Sequence, residues 1–117
     1  PLQFNMVTLN NGDALGACAD TRAEISLITT AALDKAKVEY DWNSLSNGHP
    51  VKGITSASQS SKTIVVKLKF LHDDSPLEAT VALSVIQSHD YRFLLGRDIL
   101  LPLKFTLDSE GLALTDP

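Results

Sequence analysis

Ala17-Cys18-Ala19-Asp20-Thr21-Arg22-Ala23 and, far along the chain, Phe93-Leu94-Leu95-Gly96-Arg97-Asp98 are the two stretches on which the reading turns. In each, an apolar run of strand character ends in a polar turn. An acid that must sit in a partly dry site and still meet a substrate belongs at the end of such a strand, where the backbone is rigid and water is limited. Asp20 has that setting. Read alone, it is more readily a turn carboxylate capping a local amide, and only the second stretch reverses that preference.

Outward from these stretches, apolar residues recur mostly at period two, and Gly, Asn, Asp, Ser and Pro punctuate them, the pattern of a mainly β domain. A first strand over 2–9 places Leu2, Phe4 and Met6 on one face. Asn10-Asn11-Gly12-Asp13 supplies the positive-φ residues of a tight turn, and the chain returns over 14–19. A short strand over 25–28 runs into a helix over 31–36 capped by Thr29-Thr30. After the break at Asn47-Gly48-His49-Pro50, Val51 to Thr55 faces Lys62 to Phe70 in a long hairpin with an exposed, serine-rich tip. A strand over 77–86 buries the alternating set Leu77, Ala79, Val81, Leu83 and Val85. Another strand covers 91–95, and a short helix from Gly96 is stopped by Pro102, which has no amide hydrogen. A hairpin over 105–107 and 112–114 ends the chain.

The chain has 117 residues, 44% of them hydrophobic and 21% charged, enough to bury a core and the size of one domain spanning 1–117. Its formal charge of −4 and its lack of a basic cluster argue against a nucleic-acid partner. No run approaches the roughly 18 apolar residues of a membrane span, and the first residues lack the basic and apolar regions of a signal peptide. An intracellular, cytoplasmic or particle-enclosed, location is the expectation. A single cysteine, Cys18, excludes an internal disulfide and multi-cysteine metal sites. Cys18 either shares the face of Asp20 or fills the core as a small apolar group. His49, His72 and His89 sit in turns without chelating spacing, so no metal site is expected, and no glycine-rich phosphate loop or other cofactor motif is present. Tyr40 and Trp42 read as loop anchors.

Taken together and in this order, the two stretches resemble the retropepsins, the aspartic proteases of retroviruses and long-terminal-repeat retrotransposons. Their first motif is an apolar run followed by Asp-Thr/Ser-Gly-Ala; their second is apolar residues, Gly-Arg-Asp/Asn and a short helix. The resemblance covers nearly the whole chain. It implies an all-β (mainly β) acid-protease barrel with one short helix near the C-terminus, a flap hairpin over about 50–70, and an aspartic endopeptidase acting on a retroelement polyprotein. Such catalysis needs two carboxylates sharing one proton. Only one candidate motif is present, so the active species is expected to be a homodimer in which Asp20 meets its own copy across a twofold axis.

Residue by residue, the resemblance makes Asp20 catalytic and Thr21 its brace across the axis. It places Arg22, Ala23, Glu24, Gly53, Ile54, Thr55 and Leu94 beside bound peptide, with residues 53–59 as flap. Gly96, Arg97 and Asp98 are structural: Asp98 caps or braces the short helix, and Arg97 can pair with Glu24. The termini, through Leu2, Phe4, Leu112 and Leu114, would build an interleaved dimer sheet, which removes exposed strand edges.

The departure from the pattern is Arg22, where the family has glycine. Glycine there lets backbone approach substrate and adopt a positive φ. An arginine adds bulk and, if it reaches Asp20, a cation that favours the ionised carboxylate over the shared proton. Reduced or abolished activity is expected. An attenuated protease, a repurposed fold, a substitution made to keep the protein intact, and an arginine turned to solvent with activity preserved all fit the sequence. The alternative function is a catalytically inactive peptide-binding or dimerisation module, as in the retropepsin-like domains of ubiquitin-shuttle proteins. The flap also departs, with serines where glycines are common.

Overall fold

Val7 and Leu9 are fully buried whereas Met6 is 51% exposed, which fixes how the first strand, β1 (Gln3–Leu9), sits on the core. The face bearing Met6 therefore looks outward. The computed structural model describes residues 3–48, 51–52, 58–59, 61–71, 77–102, 105–108 and 111–114. After β1 come β2 (Leu15–Ala19), β3 (Leu27–Thr29), helix α1 (Thr30–Lys35) and a 3-10 turn at Trp42–Ser44. Next are β4 (Ser46–Asn47), β5 (Val51–Lys52), β6 (Ser58–Gln59), β7 (Lys62–Phe70) and β8 (Glu78–Ile86). The chain then forms β9 (Phe93–Leu95), helix α2 (Arg97–Leu100), β10 (Phe105–Asp108) and β11 (Gly111–Leu114).

Strand neighbours run β1-β2-β9-β3-β8-β7, and β7 pairs back onto β1, so six strands close into a mostly antiparallel barrel. Closure is made at Val7 to Leu9 against Leu68 to Phe70. The longest ladder, β7 with β8, runs from Lys62 opposite Val85 to Lys69 opposite Glu78. On β7 the alternation is clean: Ile64, Val66, Leu68 and Phe70 point inward and Val65 and Lys67 outward. Each buried side chain of this size stabilises the fold by about 1.5–3 kcal/mol through removal of apolar surface from water. Leu83 and Val85 of β8, Leu15, Ala17 and Ala19 of β2, and Phe93 and Leu95 of β9 complete the same core.

Local chemistry sets the element ends. Asn10 and Asn11 adopt left-handed φ of 50° and 60°, the geometry expected of the first turn. Thr29 caps α1 by accepting the Ala32 amide hydrogen. Tyr40 and Trp42 pack against the core edge, Trp42 under the Lys62 ammonium. No described helix is long and apolar enough to cross a membrane, and no group of metal-binding side chains occurs among the described residues.

Four sequence expectations need correction. Of the set expected to be buried over 77–86, only Leu83 and Val85 are; Leu77, Ala79 and Val81 are half-buried, nearer the open end of the ladder with β7. The strand expected over 25–28 begins at Leu27, because the carbonyls of Ala23 and Glu24 are taken by the amides of Arg97 and Asp98 rather than by a neighbouring strand, leaving Ile25 exposed. The strand expected over 91–95 begins at Phe93, since the amide of Arg92 is held by the Thr29 hydroxyl. The long hairpin is built in two tiers: Val51 and Lys52 pair with Gln59 and Ser58, while Lys62 and Thr63 at the start of β7 pair with β4. Gly53, Ile54 and Thr55, and with them the flap tip, lie outside the described residues, as do Leu2 and the turn at His72.

Candidate active site

β9 lies between β2 and β3, parallel to the first and antiparallel to the second. Cys18 pairs with Leu94 and Ala19 with Leu95, and the amide of Asp20 extends this ladder one step by donating to the Leu95 carbonyl at 2.9 Å. Asp20 therefore starts where the rigid strand ends. Its carbonyl accepts the Ala23 amide at 3.1 Å, closing a tight turn over Thr21 and Arg22. Thr21 is exposed on that turn, and Ala23 is half-buried.

The loop from Asp20 to Ser26 is bolted to α2. The Ala23 and Glu24 carbonyls accept the amides of Arg97 and Asp98 at 2.8 and 3.2 Å. In return the Asp98 carboxylate accepts the Ser26 amide at 3.0 and 3.1 Å and the Ser26 hydroxyl at 2.6 Å. That hydroxyl accepts the Gly96 amide at 2.8 Å. Ser26 is wholly buried, so each of these bonds replaces water that cannot enter. Gly96 is held to glycine by space: a Cβ there would stand 2.9 Å from the Ala23 carbonyl oxygen and from the Ile25 carbonyl carbon. Outside this clamp, Arg97 and Glu24 form the expected pair at 3.4 Å, with Glu24 82% exposed, a geometry worth little in water.

Asp20 itself is reached from one side. Its Oδ1 accepts the Arg22 amide at 2.9 Å, and the Arg22 Nε lies 3.7 Å from the same oxygen. The carboxylate thus does cap a local amide, as an isolated turn aspartate would. Asp20 is 20% exposed at its side chain and Arg22 79%, so water screens the ion pair. The non-glycine residues with positive φ among those described are Asn10, Asn11 and Lys37. Arg22 is not one of them, and the backbone strain expected of an arginine at this position is absent.

Strand parity gathers what sequence reasoning left apart. Ala17, Ala19, Phe93 and Leu95 face the core, so Cys18, Asp20, Arg92 and Leu94 share the opposite, partly exposed face. Burial pushes the Cys18 thiol above its ordinary pKa; the Asp20 charge adds to this and the Arg92 charge opposes it. Leu94 was singled out from the sequence; Arg92 and Ser26 were not, because their roles depend on the crossing of β9 between β2 and β3. Behind this face, the Tyr91 hydroxyl donates to the Gly16 carbonyl at 2.6 Å, and burial raises its pKa.

A closed six-strand barrel with a parallel β2–β9 pair, an aspartate at its end and a glycine-led helix clamped beneath the aspartate loop is a retropepsin-like fold. Solved structures carry the likeness. The retroviral protease-like domain of Ddi1 from Leishmania major matches with a TM-score of 0.70 and 14% identity, over 99% of this chain and 90% of that one. A retropepsin-like aspartic protease from Rickettsia conorii matches at 0.65 and 17%, over 97% and 81%. EIAV protease, complexed with the inhibitor HBY-793, matches at 0.55 and 20%, over 89% of each chain. No protein-family model and no curated protein matches the sequence.

Proposed function

We infer that this chain is an aspartic endopeptidase of retropepsin type, one domain over 1–117, working as a homodimer on an intracellular retroelement polyprotein. The observation that carries the reading is Asp20, presented at the end of β2 on a loop that α2 clamps through Ser26, Gly96 and Asp98. In the dimer, Asp20 of one protomer and its copy share a proton. The ionised carboxylate takes a proton from water as the water oxygen bonds to the scissile carbonyl carbon. The protonated one gives its proton to the carbonyl oxygen. Collapse of the tetrahedral species breaks the C–N bond: the amine leaves with a proton from one carboxyl of the dyad while a hydroxyl of the tetrahedral carbon returns its proton to the other and becomes the carbonyl of the new acid. Thr21 braces the two loops across the axis, and Ala23, Glu24, Leu94 and the flap residues Gly53, Ile54 and Thr55 flank the peptide.

Arg22 lowers the activity. Its guanidinium stands 3.7 Å from Oδ1 of Asp20 and favours the ionised carboxylate over the shared proton, whereas its amide bond to the same oxygen is one that any residue here can make. The same contact favours a second reading, a dimeric module that binds peptide without cutting it. Cleavage of a mixed peptide library at acidic and neutral pH, at concentrations that force dimers, separates the two. Activity that rises in Arg22→Gly and disappears in Asp20→Asn supports the protease. Silence in the parent and in Arg22→Gly, with peptide still bound, supports the binding module.

A further inference from the structure

The chain is acidic, and the surface around Asp20 carries both signs, its three arginines set among Asp20, Glu24, Asp90 and Asp98. Of the three arginines, Arg97 is held by Glu24 at 3.4 Å and Arg22 lies over Asp20 at 3.7 Å. Arg92 is exposed, and its guanidinium enters none of the ion pairs among the described residues. Parity and register put Arg92 on the same face as Leu94, Cys18 and Asp20. The result is a half-buried apolar floor, Leu94 and Cys18, with the Asp20 carboxylate at one end and the exposed Arg92 guanidinium at the other.

We propose that Arg92, assisted by Arg22, selects peptides carrying a glutamate or aspartate beside the bond held at Asp20. This deepens the peptide-cleft reading and rests on it. The methylenes of a glutamate lie over Leu94 and Cys18, and its carboxylate meets the planar fork of Arg92, which can hold both oxygens at once. A lysine in the same place meets a like charge and leaves Arg92 unpaired, so discrimination comes from repulsion as well as attraction. A twofold partner would repeat the arrangement on the other side of the bond.

The test is fluorescence anisotropy with dye-labelled octapeptides that share one apolar core and differ only in Glu, Gln or Lys at the positions flanking the central bond. With the unaltered chain, the Glu peptide should bind about two- to fivefold tighter than the Gln peptide, the scale of one ion pair at an exposed side chain. The Lys peptide should bind weakest. Arg92→Gln should flatten the series and Arg92→Glu should invert it. Equal binding of all three peptides, no binding of any, or an unchanged order in both variants overturns the proposal. Cleavage of the same peptides by Arg22→Gly is followed in parallel. A Glu preference in binding with no cleavage sinks the protease reading and leaves the selectivity standing, whereas cleavage without Glu preference does the reverse.

Discussion

Replacing Ser26 with alanine removes a single oxygen, but that oxygen joins three parts of the molecule. It donates to Asp98 at 2.6 Å and accepts from the Gly96 amide at 2.8 Å, and the residue has no exposed surface. A hydrogen bond to a charged group contributes about 1.5–3 kcal/mol, and a buried amide left without a partner costs about 1–3 kcal/mol. Asp98 is exposed, so water restores part of the first loss. The Gly96 amide is buried and recovers nothing. The net expectation is a destabilisation of about 2–4 kcal/mol, a large share of the roughly 5–15 kcal/mol that holds a domain folded. For a domain of this size, 1 kcal/mol shifts Tm by about 4 °C, so the variant should melt about 8–16 °C lower. Circular dichroism at one fixed chain concentration measures it, since any association would make Tm concentration-dependent. Ser44→Ala is the control: its hydroxyl also bonds an aspartate, Asp41 at 2.8 Å, but in an exposed turn, so it should change stability by less than about 0.5 kcal/mol. If Ser26→Ala lies within about 0.5 kcal/mol of the parent, the clamp does not hold the loop and the reasoning fails.

Gly96→Ala should destabilise by about 1–3 kcal/mol, because its Cβ meets backbone atoms of Ala23 and Ile25 at 2.9 Å and neither can move freely; urea titration with an unchanged midpoint would contradict this. Cys18 should react with iodoacetamide more slowly than a free thiol at pH 8, faster in Asp20→Asn and slower still in Arg92→Gln, since the thiolate is disfavoured by burial and by Asp20 and favoured by Arg92. Identical rates in all three proteins would mean that these side chains do not share a face. Tyr40 and Tyr91 both have pKa values raised above 10.0, first by burial. Their protonated forms are favoured on folding, so the stability they contribute is complete below pH 10 and is lost as pH climbs through the raised values. Tyr91→Phe should blunt the alkaline loss, as seen in denaturation midpoints between pH 9 and 12. Finally, Arg22→Ala should raise peptide cleavage about as much as Arg22→Gly, in kcat/KM, because the position does not use positive φ; a gain confined to glycine would overturn that account.

Much of the barrel was legible because its strands carry their burial in strict alternation. Ile64, Val66, Leu68 and Phe70 announce β7, and Leu83 and Val85 announce the buried end of β8. The turn at Asn10-Asn11 was legible for a different reason, since asparagine tolerates left-handed φ. Failures fall where distant partners override local pattern. Ile25 looks like strand, but the backbone just before it is committed to α2. Val51 and Lys52 look like partners of β7, but they pair with Ser58 and Gln59. The two motifs gave Asp20, Gly96 and Asp98 by resemblance, yet nothing in either names Ser26, which joins them. A buried serine between Ile25 and Leu27 is a polar interruption of an apolar run, and that was the available signal.

The same logic changes what Arg22 means. From sequence, an arginine in a glycine position threatens both backbone and chemistry. The backbone objection disappears, because the turn over Thr21 and Arg22 is built without left-handed φ and the Arg22 amide is satisfied by Asp20 Oδ1. What remains is the side chain, 79% exposed and anchored at one point, 3.7 Å from that oxygen. An exposed pair of this kind contributes about 0.2–1 kcal/mol, so a substrate that brings its own carboxylate can draw the guanidinium away from Asp20 at small cost. An acidic peptide would then be both the ligand favoured by the exposed Arg92 and the one best able to uncover the aspartate. On this argument the residue that restrains the site also sharpens its choice of substrate, and removing Arg22 should raise activity on neutral peptides more than on acidic ones.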